Sequence, residues 1–226
     1  ADYFFSHSDL IGLLKLLLFN INININIMFS IFRKGLKGVH RSSCLPLGFR
    51  TMFSNPVPRK LDEVMYLKKI LKKDRKEIIS IWNKFLHDKE AVIPSSLTAD
   101  EYHTLQNRSK DCPIFIYPIY RGNTDQYFMM VSQFVDNLVL MTDLESYRKN
   151  PLGASPWMVI TFYNELIKAK DLILYRADLT TDHASLSKEE VINTIALFKH
   201  FYQSADNTEP AKWLLQFNKA PNEFDF

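Results

Sequence analysis

Between Cys112 and Asp178 the chain returns five times to runs of β-forming residues: CPIFIYPIY, QYFMMVSQF, LVLMT, WMVITFY and DLILYRAD. Such runs, separated by polar turn residues, constrain the fold more than any other feature. Asp136-Asn137 stands between the second and third and predicts a hairpin. Pro118 breaks the first run, and a residue without an N–H belongs on an edge strand or at a bulge. Helical patterns precede and follow the strands. The class expected is therefore α+β, a mostly antiparallel sheet flanked by N-terminal and C-terminal helices.

Residues 55–60, NPVPRK, read as a linker, because Pro56 and Pro58 disfavour helix. Leu61, Val64, Leu67 and Leu71 then recur at helical spacing and predict one helix over 61–73. Asp74 with Glu77 is a capping-box-like pair opening a second helix, with Ile78, Ile81, Trp82 and Phe85 as its apolar face. An extended AVIP precedes a helix over 99–108, capped by Thr98 or Asp100. Residues 143–149 form a short helix, and Asn164 is expected to cap NELIKAK. Ser187 and Glu190 make a second capping box, opening a helix to about Gln203. Its core stripe is Val191, Ile195, Phe198 and Tyr202. Pro210 opens AKWLLQF.

The net charge of +3 is unevenly placed. Residues 1–53 hold six basic and two acidic side chains, whereas residues 54–226 hold 22 and 23. A body this close to neutral lacks the field of a nucleic-acid binder. The basic excess belongs to the stretch from Met28 to Ser54, which has five Arg or Lys and no acid. On a helix, Phe29, Phe32, Leu36 and Val39 share one stripe, and Arg33, Lys34, Lys37 and Arg41 another. That is the pattern of a mitochondrial transit peptide, expected over 28–54, with the folded domain at 55–226. Residues 1–27, with LIGLLKLLLF and NINININI, are low-complexity and read as upstream sequence outside the native protein. A membrane span over 10–32 is the alternative, but four Asn and Lys15 burden its insertion. A secretory signal would need a basic start, which is missing.

Catalytic readings find little. The body's glycines are Gly122 and Gly153, too few and too scattered for a phosphate-cradling loop. Its histidines, His87, His103, His183 and His200, share no ligand spacing, and Cys112 has no cysteine partner, so no metal is expected. Cys112 could serve a thiol enzyme with a histidine base, although a packed, inert thiol is the simpler reading. The run Lys68, Lys69, Lys72, Lys73, Arg75 and Lys76 could hold the phosphates of RNA, against the plainer reading of a solvated helix junction without stacking aromatics.

Two motifs carry a resemblance. RSKDCPIFIYPIYR, residues 108–121, resembles the signature of the mitochondrial ATP synthase F1 complex assembly factor 1 family, the chaperones of the F1 β subunit. The matching positions are Cys112, Pro113, Phe115, Tyr117, Pro118 and Arg121. FNKAPNEFDF resembles the family's close, through Phe217, Asn218, Pro221 and Phe224. KLDEVMYLKKILKKDRKEIISIWNKF resembles its paired helices, while RGNTDQY, 121–127, departs from the pattern as a variable loop. The resemblance implies a non-enzymatic, cofactor-free chaperone of the mitochondrial matrix. It would hold the free β subunit until the α subunit replaces it. A monomer is expected, with no nucleic-acid partner and no stable membrane insertion. Free β exposes apolar surface that aggregates unless covered, and aromatic residues are the usual anchors for such surface. Phe115, Tyr117, Phe134, Trp157, Phe217 and Phe224 are the contact candidates, with PIFIYPIY as an edge able to pair with a partner strand.

Overall fold

The structure, a computed structural model, describes residues 59–121, 126–150, 153–180 and 186–220. The expected transit peptide, the low-complexity start, and Pro221 and Phe224 lie outside these residues.

Among the described residues the order opens with two single turns of helix, α1 (Leu61–Val64) and α2 (Leu67–Ile70), followed by α3 (Arg75–His87). The order continues as β1 (Val92–Leu97), α4 (Ala99–Asp111), β2 (Ile114–Tyr120), β3 (Tyr127–Val135) and β4 (Leu138–Asp143). Then come α5 (Leu144–Lys149), β5 (Met158–Tyr163), α6 (Ile167–Lys170), β6 (Ile173–Leu179), α7 (Lys188–Gln203) and α8 (Glu209–Lys219). The predicted caps operate at three helices. Asp74 accepts from Glu77 N, and Thr98 and Ser187 form reciprocal boxes with Glu101 and Glu190. Each satisfies helix N–H groups that would otherwise lack acceptors.

The strands form one six-stranded sheet in the order β1-β6-β5-β4-β3-β2, with every pair antiparallel. The expected hairpin is β3–β4, closed by Asp136 at φ 54° and Asn137. Asp tolerates the left-handed region better than most residues, because its short polar side chain can bond locally. The α+β class is as expected.

Alternation along the strands divides the side chains between two faces. On one, Phe115, Tyr117, Met130, Val139, Met141, Ile160, Phe162 and Tyr175 lie beneath α4, α7 and α8. The stripe Val191, Ile195, Phe198 and Tyr202 is buried there as predicted. On the other, Tyr163 and Leu174 meet Leu61, Ile70, Ile78, Trp82 and Leu86 of the N-terminal helices. Trp82 is fully buried, stands edge-on to Tyr163 at 5.6 Å, and donates its indole N–H to the Tyr175 carbonyl at 3.1 Å. The bond removes the one polar liability of that ring.

Several expectations need correction. The single helix over 61–73 is broken, because Met65 is extended (φ −140°, ψ 150°). The break lets Leu61 and Ile70 both reach the core, while Leu71 is left exposed. On α3, Leu86 takes the core place expected of Phe85, whose ring faces outward. Asn164 does not cap α6 with its side chain: Leu166 occupies that position, and only the Asn164 carbonyl is used, by Ile167 N. Of the run WMVITFY, Met158–Tyr163 form strand β5 inside the sheet and are buried throughout, and only Trp157 ahead of them keeps partial exposure.

Candidate functional site

The two sequence motifs, separated by about a hundred residues, meet at the start of β2. Cys112 ends α4 and its carbonyl accepts the Tyr202 hydroxyl of α7 at 2.7 Å. Pro113 N-terminally sets the ladder: its carbonyl accepts from Phe134 N at 2.9 Å. Asn218 of α8 then spans Ile114 as a short strand would. Its amide nitrogen donates to the Ile114 carbonyl at 2.7 Å, and its oxygen accepts from Ile114 N at 3.4 Å. The preceding Phe217 sets its ring edge-on to Phe115 at 5.3 Å, and Phe201 fills the space beside both Phe115 and Tyr117. At the far end of β2, Arg121 lies over the Phe128 ring at 4.5 Å and reaches Glu190 at 3.5 Å.

The ladder alternation fixes which backbone groups face outward. Pro113 bonds to Phe134 of β3 and Arg121 to Gln126 just ahead of that strand, so Phe115, Tyr117 and Ile119 bond to β3 likewise, and the backbone groups of Ile114, Ile116, Pro118 and Tyr120 point off the sheet. One outward donor is absent because Pro118 has no N–H, and another is taken by Asn218. The opposite edge follows the same scheme. Leu179 N donates to the Ala91 carbonyl, which places Pro94 of β1 in an outward position. Val92 N is taken by Lys89 O. Both edges of the sheet are thus poor templates for a further strand, the usual protection against edge-to-edge association. Pro118 does mark an edge strand, but the expected pairing of that edge with a partner strand loses two of its donors.

Burial sorts the contact candidates. Phe115, Tyr117 and Phe217 are 3%, 0% and 3% exposed, so in this fold they are core and offer no surface. Phe134 is half-buried against Phe198 and Tyr202, and Trp157 is half-buried against Phe128. The signal that misled is the aromatic content of the motif, which serves packing as well as it serves contact.

The site's electrostatics are those of a sealed interior. Burial pushes the Tyr117 phenol far up, opposed by its 3.2 Å contact with the Ser132 hydroxyl, and burial likewise raises Tyr202. Burial also raises the Cys112 thiol, outweighing the nearby positive charges of Lys219 and Arg108. A raised thiol is held protonated, the opposite of an activated nucleophile. Among the described residues, no group of three or more His, Cys, Asp or Glu side chains is gathered as a metal ion requires. No helix among them is long and apolar enough to cross a membrane.

Residues outside the motifs complete the junction. Glu190 closes the α7 capping box with one oxygen and meets Arg121 with the other. Asp171, left-handed at φ 49° after α6, accepts from Arg75 and from Ala99 N, tying the starts of α3 and α4. A capping glutamate is visible in a sequence, but its second oxygen carries no sequence signal.

A family model described as ATP11 protein matches residues 42–226. The match begins within the stretch whose composition resembles a transit peptide. Among curated proteins, ATP synthase mitochondrial F1 complex assembly factor 1 from Danio rerio is similar. It is 25% identical over 168 residues, covering 73% of this chain and 52% of that protein. The chain thus spans about half the length of the curated relative it matches.

Proposed function

The chain belongs to the ATP11 protein family, and from that premise we propose that it is a non-catalytic chaperone of mitochondrial F1 ATP synthase assembly. Its client is a free F1 subunit, the β subunit, held in the matrix until the α subunit takes the chaperone's place. The observation that carries this reading is the family match across residues 42–226, supported by a relative whose name is that of an F1 assembly factor. Met28 to Ser54, basic and free of acid, supports import. The chaperone domain in this reading is residues 55–226, acting as a monomer.

Physical chemistry sets what such a chaperone must do. A subunit awaiting its neighbour exposes apolar surface that would otherwise aggregate. The chaperone must cover that surface and then yield, so its affinity must fall below that of the natural neighbour. A fold with protected sheet edges suits this task, since it holds a client without polymerising on it.

The test is suppression of aggregation. Free F1 β subunit diluted from denaturant is expected to stay soluble with this protein and no nucleotide, and added α subunit is expected to displace it. Aggregation at the unassisted rate would reject the reading. Removing residues 28–53 is expected to abolish mitochondrial import without changing the circular dichroism of the body.

A further inference from the structure

Five large apolar side chains stand out from the described surface, and three of them fall within twenty residues of the N-terminal layer: Tyr66 at 65% exposed, Leu71 at 39% and Phe85 at 46%. The same layer carries the chain's folded positive charge. Residues 59–91 hold ten basic and six acidic side chains, whereas the described residues between 92 and 220 hold 12 and 13. The positive excess of the described surface is therefore concentrated in this layer. Within the basic run, Lys73 is held by Glu77 and Arg75 by Asp171. Lys68, Lys69, Lys72 and Lys76 are exposed, with no carboxylate in salt-bridge reach among the described residues. Two exposed rings each carry a lysine: Lys69 lies over Tyr66 at 5.5 Å from the ring centre, and Lys89 over Phe85 at 4.9 Å.

We propose that the outer face of α2 and α3 is the client-docking surface, and that it takes a polypeptide segment in which acidic side chains flank apolar ones. The inference rests on the chaperone reading above and names the chemistry of its partner. Aromatic anchors ringed by charge are the usual makeup of a contact. An acidic segment is drawn to this layer in preference to the near-neutral remainder of the described surface, which orients it and raises the association rate. A membrane surface fits less well. Interfacial helices separate charged and apolar faces over several turns, whereas here Lys69 and Lys89 lie over the exposed rings themselves and α2 is a single turn. Strand addition at the sheet edges is disfavoured by Pro94, Pro118 and Asn218, which leaves side-chain docking on a helical layer as the available mode.

The experiment uses the full chain and free F1 β subunit, with binding measured at low and high salt. One variant carries Lys68→Glu, Lys69→Glu and Lys72→Glu, and a second carries Tyr66→Ser alone. All four side chains are exposed, so circular dichroism should match the parent. The charge variant is expected to bind about tenfold more weakly or worse and to lose its salt dependence. The Tyr66 variant is expected to weaken binding while keeping that dependence. If the parent binds and both variants bind equally well, the docking surface is wrong and the chaperone reading stands. If the parent captures no β subunit, the chaperone reading fails first and takes this inference with it. Loss of binding to anionic vesicles, with client binding unchanged, would make the patch a membrane face and overturn the proposal.

Discussion

Asn218 illustrates how one side chain can finish a sheet. Its amide offers a donor and an acceptor at the spacing of a backbone, and both are used by Ile114. A third bond to the Leu214 carbonyl anchors the same amide to its own helix. Asn218→Ala should destabilise the fold by about 1–3 kcal/mol, because it leaves a partly buried carbonyl and N–H without partners. Chemical denaturation measures this, and an unchanged midpoint would show that water replaces the amide. Cys112 makes a second test at this scale. Its thiol is buried and raised by desolvation. Alkylation by iodoacetamide should therefore be slow in the native protein and fast in guanidinium. Rapid native labelling at neutral pH would revive a thiol-enzyme reading.

At the scale of elements, β2 is an edge strand with a buried, aromatic character more often found inside a sheet. It survives there because α7 and α8 cover one face, because Pro118 withholds an outward donor, and because Asn218 occupies another. Pro118→Val should restore that donor in a strong β-former. The expected result is concentration-dependent association, seen as added mass in light scattering, with a melting temperature close to the parent's. A variant that stays monomeric would mean the covering helices alone protect the edge. The broken pair α1 and α2 is the opposite kind of element. Single turns have little intrinsic stability, and these two are held by packing of Leu61 and Ile70 and by the Glu165 carboxylate accepting from Leu61 N at 2.7 Å.

Among the described residues, two cores share one sheet. The larger includes Phe198 and the smaller includes Trp82, on opposite faces. Trp82→Ala and Phe198→Ala should each lose about 3–5 kcal/mol, as buried aromatics do. The two losses should differ in where they appear. Hydrogen exchange in the Trp82 variant is expected to rise first in α1, α2 and α3, and in the Phe198 variant across α7 and β3. Identical exchange patterns would mean that both cores unfold as one unit.

Much of this fold was readable from local pattern. The capping boxes at Thr98 and Ser187, the Asp136-Asn137 hairpin, the edge character of β2 and the α7 stripe all rest on interactions within a few residues. Such interactions are encoded where they occur. The break at Met65, the outward turn of Phe85 and the central place of β5 were not readable, because each is decided by which surface another part of the chain presents. The candidate site divides the same way. Its motif residues were visible, but only the folded chain brings Asn218 to Ile114, closes Phe115 beneath Phe217, and leaves Tyr66 and Phe85 outside. Periodicity states that a side chain is apolar and which face of its own element it shares. Whether that face meets a core or solvent depends on partners up to a hundred residues away, and no local pattern records them.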